Sequence, residues 1–219
     1  MRRAVICFTR VPRPGVTKTR LLPVLSPEQC AALHRAFLMD QARVYRELAA
    51  ELFVAYAPDP DWELLKDIFP MAAEFFPQEG EDLGERMDAA IRRVLTLGFE
   101  RVVLTGTDLP AMGYEHLESG FSALDSFDVV LGPTPDGGYY LVGTKTPCPA
   151  VFENQQYGGG NVYENTAAAA ERAGLSLGQA LPCGDVDTPE DLRRLVLQAD
   201  PESHTGQLLA KLKKEGHFL

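Results

Sequence analysis

Residues 101–110, RVVLTGTDLP, constrain the fold more than any other part of the chain. The apolar, mostly β-branched run at 102–105 predicts a short strand that is buried on both faces, as in a parallel sheet. Gly106 ends this strand and Pro110 prevents its continuation. Asp108 therefore lies just past the carboxyl end of a predicted central strand, where open α/β sheets bind ligands. It could contact a cation or substrate, or form an Asx turn within its own loop.

The rest of the chain alternates between strand and helix patterns. Residues 4–8 predict a first buried strand, and Ser26-Pro27-Glu28-Gln29 predicts a capped helix that runs to about residue 50. Residues 128–143 predict an antiparallel pair. The order describes one mixed, mostly parallel α/β domain over residues 1–219, flanked by helices. Further strands are predicted at 52–57, 74–76 and 179–183, and helices at 61–69, 83–97, 115–124, 162–173, 189–199 and 205–215.

The charge of the chain excludes some partners. The 219 residues carry a formal net charge of -10, which repels nucleic acid and anionic lipid. The local charge is positive near the start of the chain, where six basic residues precede the first acidic residue, Glu28. A basic cluster on an acidic protein indicates a small anionic ligand, or else a solvated basic terminus. The six residues are Arg2, Arg3, Arg10, Arg13, Lys18 and Arg20.

The cysteines and histidines show no spacing typical of a metal or redox site. Buried thiols in a reducing cytoplasm explain the cysteines, and surface or core positions explain the histidines. No apolar run is long enough for a secretion signal or a membrane span. We therefore predict a cytoplasmic protein. The residues concerned are Cys7, Cys30, Cys148, Cys183, His34, His116, His204 and His217.

The basic loop at residues 10–20 follows the first predicted strand, where α/β proteins bind phosphates. Two prolines and Gly15 prevent regular structure there. The spacing from Gly15 to Lys18 does not match a Walker A motif, and no G-x-G-x-x-G fingerprint is present. Lys18 and Arg20 are either phosphate ligands or solvated charges.

The acidic residues after predicted strands suggest a site for a hard cation. Mg²⁺ and Mn²⁺ prefer oxygen ligands and often take one or two carboxylates, with phosphate and water completing the shell. Asp108 and Asp187 could supply the carboxylates, while Lys18 and Arg20 neutralise phosphate charge. Alternatively, Asp187 caps the following helix and Asp185 is a turn residue. No Ser-His-Asp or Cys-His arrangement is indicated, which excludes nucleophilic hydrolysis.

Five motifs, taken together, resemble a bacterial family of candidate glycosyltransferases, or nucleotide-diphospho-sugar transferases. The resemblance extends from about residue 4 to residue 198 and implies the GT-A fold, a Rossmann-like arrangement. The basic loop also resembles that of 2-phospholactate guanylyltransferase and, more remotely, molybdenum-cofactor guanylyltransferase. The motifs are PGVTKTRL (14–21), DLGERM (82–87), GTDLP (106–110), GPTPDGGYYL (132–141) and DVDT (185–188).

The resemblance implies a role for individual residues. Asp108 and Asp187 correspond to metal-associated acidic positions, and Lys18, Arg20 and Asp108 to catalytic ones. Asp185-Val186-Asp187 itself reads D-x-D, which leaves open whether Asp185 or Asp187 contacts the metal. Nucleotide binding is expected from Arg10, Gly15, Lys18, Thr19, Arg20, Gln78, Gly80, Asp82, Leu83 and Gly84, and acceptor binding from Asp136, Gly137, Gly138 and Tyr139.

Three functions fit this pattern. The first is Mg²⁺- or Mn²⁺-dependent transfer of a glycosyl group from a nucleoside diphosphate sugar to a small-molecule acceptor, with release of a nucleoside diphosphate. The second is nucleotidyl transfer with release of pyrophosphate. The third is nucleotide binding without turnover. Because fold alone does not choose among them, the prediction is a metal-dependent transferase acting on a nucleotide or nucleotide-sugar.

Overall fold

A computed structural model describes residues 1–216, and a mixed β-sheet forms the centre of this part. The sheet is assembled in the order β3-β2-β1-β4-β6-β5-β7 from strands that lie close to the predicted ones. These are β1 (Arg3–Thr9), β2 (Glu51–Tyr56), β3 (Glu74–Pro77), β4 (Arg101–Thr105), β5 (Val129–Pro133), β6 (Tyr139–Thr144) and β7 (Leu177–Gln179).

Helices flank the sheet, and their ends follow the local signals in the sequence. The first helix begins with a capping box, in which the Ser26 hydroxyl accepts from the Gln29 amide at 3.3 Å and the Gln29 side chain accepts from the Ser26 amide at 2.8 Å. The helices are α1 (Pro27–Glu47), α2 (Leu64–Ile68), α3 (Leu83–Thr96), α4 (Tyr114–Ala123), α5 (Val162–Arg172), α6 (Pro189–Gln198) and α7 (His204–Lys214).

The direction of each strand confirms the predicted fold class. β1 pairs in parallel with both β2 and β4, β2 with β3, and β5 with β7. β6 is antiparallel to both β4 and β5, so the predicted antiparallel member is present. The result is a single-domain α/β fold with a mostly parallel sheet.

Apolar side chains cover both faces of the sheet, as the buried strand patterns predict. Neighbouring residues such as Val5 and Ile6 belong to different cores, because successive strand side chains point to opposite faces. One core contains Leu38, Tyr45, Val103 and Phe121, the opposite core contains Phe53, Ile91, Leu104 and Val142, and a third cluster packs Leu33 and Phe37 of α1 against Leu192, Leu209 and Leu212.

The strand order brings two loops together at one edge of the sheet. From β1 the chain crosses to β2 on one side, whereas β4 lies on the other side of β1. The carboxyl ends of β1 and β4 therefore form a topological switch point, the usual ligand position in such sheets. The basic loop follows β1 there, and Asp108 follows β4.

Some predicted boundaries are wrong. α1 ends at Glu47 rather than near residue 50, because Leu48 is extended at φ -77°, ψ 140°. The predicted strand at 179–183 is instead Leu177–Gln179, whose extent is set by pairing with β5 rather than by its own weak pattern. α2 starts three residues later than predicted.

Two predictions remain, one on membrane-spanning segments and one on the end of the domain. Within residues 1–216, no helix is long and apolar enough to cross a membrane. His217 and the end of the predicted 1–219 domain lie outside the described residues.

Candidate active site

A cavity of about 450 Å³ lies at the switch point between the basic loop and the loop after β4. We call it the Lys18 cavity. Four of its lining side chains are cationic and two are carboxylates. Its lining residues are Phe8, Thr9, Arg10, Thr17, Lys18, Thr19, Arg20, His34, Ala57, Gln78, Leu83, Arg86, Gly106, Thr107, Asp108 and Asp187.

Lys18 connects the acidic segments of this cavity. Its side chain is 2% exposed, and its ammonium group forms an ion pair with Asp108. The same Nζ donates to the carbonyl of Val186 at 2.6 Å and lies 3.4 Å from Asp187 Oδ1. The Lys18 backbone has a left-handed conformation with φ 53°, which a non-glycine residue adopts only where surrounding contacts hold it. The loop therefore places this charge at a fixed point.

Asp108 is held in its ionised form by its neighbours. Burial is the largest single effect and opposes ionisation, but the neighbouring groups, with the Lys18 ammonium first among them, together outweigh it and keep the pKa of Asp108 below its ordinary value. The backbone carbonyl of Asp108 accepts from the Val186 amide at 2.9 Å, which joins the loop after β4 to the segment before α6. Asp108 is therefore a cavity-lining carboxylate with a fixed backbone.

Asp187 and Asp185 have different surroundings. Burial and the negative charge of Asp108 raise the pKa of Asp187, while Lys18 and Arg20 act in the opposite direction. Arg20 Nη1 lies 3.2 Å from Asp187 Oδ2. Burial, with the charges of Asp136 and Asp187, raises the pKa of Asp185 to about 6. Asp187 lines the Lys18 cavity, whereas Asp185 lines a neighbouring one.

Asp108 and Asp187 form a pair that could contact a divalent cation. They are close enough for the charge of one to raise the pKa of the other. Across residues 1–216, no group of three or more His, Cys, Asp or Glu side chains could hold a metal ion. With two carboxylates, a hard cation would take its remaining ligands from phosphate and water.

A second cavity of about 300 Å³ adjoins the first. We call it the Tyr139 cavity. Leu83, Gly106, Thr107 and Asp108 line both cavities, so Asp108 stands at their junction. The other lining residues are Met87, Leu109, Thr134, Asp136, Gly138, Tyr139, Tyr140, Tyr157, Gly158, Gly159, Val162 and Asp185.

The structure brings together most of the predicted site residues. Of the acceptor-side set, Asp136, Gly138 and Tyr139 line the Tyr139 cavity, while Gly137 packs against Gly160. Thr188 caps α6 with its side chain, which leaves Asp187 free of that role. The predicted residues that line the Lys18 cavity are Arg10, Lys18, Thr19, Arg20, Gln78, Leu83, Asp108 and Asp187.

Four predicted nucleotide-binding residues line neither cavity. Gly15 lies in the basic loop with φ +75° and open space around it. Asp82 caps α3, because its Oδ1 accepts from the Glu85 amide at 2.8 Å. Gly80 and Gly84 have close backbone neighbours, so a side chain at either would collide with them. The nucleotide contacts of these four residues stay predictions.

His34 is a site residue that the sequence pattern did not reveal. It lies on the buried face of α1, where a lone histidine resembles an ordinary core residue. Its Nε2 is 3.3 Å from Thr9 Oγ1 and 3.2 Å from the Arg10 carbonyl, and its Nδ1 is 3.8 Å from Asp108 Oδ1. Burial lowers the pKa of His34 to about 4, so the ring is neutral at pH 7. Arg86, one turn after Leu83, also lines the Lys18 cavity and is not among the predicted site residues.

A family model described as "Uncharacterized protein conserved in bacteria (DUF2064)" matches residues 40–159. The match includes Asp108 and the predicted acceptor-side loop. The chain belongs to this family. The DUF2064 match covers more than half of the chain, and the likeness to solved structures extends over almost all of it.

A crystal structure from Desulfovibrio desulfuricans G20 has the same fold. That protein is named as a candidate nucleotide-diphospho-sugar transferase, and it is 34% identical with a TM-score of 0.89, covering 98% of this chain and 96% of that one. This likeness confirms the nucleotide-diphospho-sugar transferase fold and the resemblance inferred from the five motifs.

Two relatives of this DUF2064 chain are named as guanylyltransferases. The 2-phospho-L-lactate guanylyltransferase of Methanothermobacter thermautotrophicus is 28% identical over 200 residues, covering 90% of this chain and 85% of the relative. The phosphoenolpyruvate guanylyltransferase of Sphaerobacter thermophilus is 25% identical over 193 residues, covering 87% of this chain and 91% of the relative.

Proposed function

We propose that this protein is a nucleotidyltransferase that binds a nucleoside triphosphate in the Lys18 cavity. The observation that carries the proposal is the charge of that cavity. Arg10, Lys18, Arg20 and Arg86 line it, together with the carboxylates of Asp108 and Asp187. Such a set complements a triphosphate better than the less charged diphosphate of a nucleotide-sugar. The names of the two guanylyltransferase relatives support nucleotidyl rather than glycosyl transfer.

The basic loop would bind and orient the phosphates. Arg20 and Lys18 are close to Asp187 and would neutralise charge on the β- and γ-phosphates as the leaving group forms. Because Lys18 is held by its backbone and by the Val186 carbonyl, its charge needs little reorganisation during the reaction. The fixed ammonium therefore favours the charged transition state over the bound ground state.

We propose Mg²⁺ or Mn²⁺ as the cofactor, held by Asp108 and Asp187. When bound, the cation would supply electrostatic stabilisation of phosphate charge and fix the geometry of the phosphate chain. Without the cation, the two carboxylates share the Lys18 ammonium, whose positive charge offsets the repulsion between them. Neutral His34, whose Nδ1 lies 3.8 Å from Asp108 Oδ1, adds no competing charge.

The reaction is a displacement at the α-phosphorus. An oxygen of the acceptor, bound in the Tyr139 cavity, forms a bond to that phosphorus. The bond to the oxygen that bridges the α- and β-phosphates breaks, and pyrophosphate leaves with its electron pair. The proton of the acceptor passes to solvent. Asp108, at the junction of the two cavities, marks where the reacting atoms would meet.

The other partners and the compartment follow from composition. A net charge of -10 supports small-molecule substrates rather than nucleic acid. The reducing cytoplasm is proposed as the compartment, because all four cysteines are buried free thiols.

The experiment has two stages. Nucleoside triphosphates, diphosphates and nucleotide-sugars are first screened by thermal shift with and without Mg²⁺ or Mn²⁺. At a concentration 100 times Kd, a true donor should raise Tm by about 5–10 °C. The best donor is then incubated with a filtered small-molecule extract, and the released phosphate product is identified.

Release of pyrophosphate would support the proposal. Release of a nucleoside diphosphate from a nucleotide-sugar would instead support glycosyl transfer, the first function predicted from the sequence. Stabilisation by nucleotides without any product would favour a binding module. If no nucleotide raises Tm under any metal condition, all three functions are excluded.

A further inference from the structure

The charges around the Tyr139 cavity have one sign. Its charged lining residues are Asp108, Asp136 and Asp185. Within the described part of the chain, no Lys, Arg or His side chain lines it. The neighbouring cations belong to the other cavity, where Lys18 is paired with Asp108 and Arg20 with Asp187. A phosphate or carboxylate in the Tyr139 cavity would lose its hydration and face the carboxylates of Asp136 and Asp185, beside an Asp108 that is already paired with Lys18.

The walls of this cavity are aromatic and apolar. Tyr139, Tyr140 and Tyr157 line it together with apolar side chains of α3 and α5, which are Leu83, Met87 and Val162. The Tyr139 hydroxyl donates to the Tyr157 hydroxyl at 3.4 Å, and the Tyr140 hydroxyl donates to the Leu181 carbonyl at 2.8 Å. Burial raises the pKa of both Tyr139 and Tyr157, so these phenols stay protonated and uncharged. Flat aromatic faces of this kind bind apolar ring faces and cations.

Asp136 fixes the negative edge of the cavity. Its Oδ1 accepts from the Thr134 hydroxyl at 2.5 Å and from the Gly138 amide at 3.1 Å. The carboxylate is thus built into the turn that precedes β6. It cannot move away from a bound molecule without breaking that turn, so the repulsion of anions is a fixed property of the site.

We propose that the acceptor bound in the Tyr139 cavity carries no negative charge. It is a neutral or cationic molecule with a ring-like apolar face, and a hydroxyl group serves as its nucleophile. The inference rests on the proposed function, because it names the substrate class of that reaction. It separates this chain from its two guanylyltransferase relatives, whose names contain phosphorylated acids.

The test uses three probes that share one ring and differ in charge. Glucosamine, glucose and glucose 6-phosphate are titrated separately, and binding is read by saturation-transfer NMR with and without the best nucleotide. We expect glucosamine and glucose to bind, and glucose 6-phosphate to bind at least about tenfold more weakly, a difference of about 1.4 kcal/mol. Signals from protons on the sugar ring face should be strongest, because that face contacts the tyrosines.

Variants of Asp136 test the cause of the selection. Asp136→Asn keeps the turn but removes the charge, and it should reduce the difference in affinity between glucose and glucose 6-phosphate. Asp136→Lys should reverse the order between glucose and glucose 6-phosphate. The matched control is Asp67→Lys on α2, an exposed position that lines neither cavity and should leave all three affinities unchanged.

The outcomes separate this inference from the proposed function. Binding of glucose 6-phosphate as tight as that of glucose would overturn the inference, and so would binding of none of the three probes. If glucose 6-phosphate is rejected but no nucleotide binds, the selection against anions in the Tyr139 cavity stands and the nucleotidyltransferase proposal fails. If pyrophosphate is released only with phosphorylated acceptors, the proposed function stands and the inference fails.

Discussion

At the scale of single residues, Lys18 determines how the charges of the site are arranged. Its ammonium group is buried among Asp108, Asp187 and the Val186 carbonyl, and its Nζ lies 5.1 Å from the centre of the Phe37 ring. A buried cation is tolerated only when it is paired and hydrogen-bonded. The segment before α6 therefore needs Lys18 for its local structure as well as for any phosphate.

Asp108→Asn tests whether this carboxylate holds the cation. The amide keeps the shape of the side chain but cannot neutralise Lys18 or bind a metal strongly. We expect loss of the metal-dependent part of nucleotide stabilisation, with a decrease of about 1–2 kcal/mol in the free energy of unfolding. Thermal shift with and without Mg²⁺ measures the first effect, and urea titration measures the second.

The matched control for this change is Asp67→Asn, which alters an exposed carboxylate of α2. It should leave the response to Mg²⁺ intact. If Asp108→Asn also leaves that response intact, Asp108 is a structural residue and the metal assignment is wrong.

His34 gives a pH-dependent contribution of known sign. Its ordinary pKa is about 6.5, and burial lowers it to about 4 in the fold. Between these values the unfolded chain binds the proton and the native protein does not. The contribution of His34 to the free energy of unfolding therefore decreases as pH falls from about 6.5 to about 4, by up to about 3 kcal/mol.

The comparison of wild type with His34→Gln isolates this effect. Asp185 has the opposite trend, because its pKa is raised to about 6 and its contribution to stability is lost as pH rises through that value. This contribution is the same in wild type and variant, so it cancels when the two are compared. We expect the wild type to lose stability relative to the variant as pH falls. Two parallel curves of unfolding free energy against pH would show that His34 is not buried as the structure has it.

At the scale of elements, two glycine-rich turns meet beside the Tyr139 cavity. Gly137 lies in the turn before β6 with φ +85°, and Gly160 lies in the turn before α5. The Tyr163 amide donates to the Gly137 carbonyl at 2.9 Å, which fastens α5 to this turn. Close packing of two backbones requires glycine at the contact.

Gly137→Ala should disturb that contact. An added Cβ would collide with the carbonyl oxygen of Gly160 and would also sit at a positive φ. Gly158→Ala is the matched control, since Gly158 has φ +89° with open space around it and incurs only the cost of its backbone conformation. We expect Gly137→Ala to lose about 1–3 kcal/mol more than Gly158→Ala in urea unfolding. Equal losses would mean that the two turns do not pack as described.

At the scale of the whole molecule, three apolar clusters enclose the thiols, while the two cavities lie open at the carboxyl ends of β1 and β4. Cys7, Cys30, Cys148 and Cys183 are buried, and burial raises the pKa of Cys7 and Cys148 to about 12 and that of Cys183 to about 11. Thiols react mainly as thiolates. The native protein should therefore give almost no colour with an aromatic disulfide reagent at pH 8, and all four thiols should react after unfolding in guanidinium. Rapid reaction of one thiol in the native protein would contradict this packing.

The sequence predicts those features that depend on neighbouring residues or on the position of a loop after a strand. The capping box at Ser26 and the buried run of β4 are readable because each depends on neighbouring residues. The loops after β1 and β4 are readable as ligand loops because strand order follows general rules. The contact of Lys18 with Asp187, by contrast, joins positions 169 residues apart in the chain. Likewise, no local pattern distinguishes His34 from a core histidine, or tells which cavity Asp185 faces.

The central claim is that the Lys18 cavity binds the phosphates of a nucleotide, and calorimetry tests it most directly. A nucleoside, its diphosphate and its triphosphate are titrated with Mg²⁺ into wild type, Lys18→Ala and the exposed control Lys213→Ala. We expect Lys18→Ala to weaken triphosphate binding by about 1.5–3 kcal/mol, roughly 10- to 100-fold, and to leave nucleoside binding unchanged. Equal weakening of all three ligands, or no effect on the triphosphate, would contradict the account.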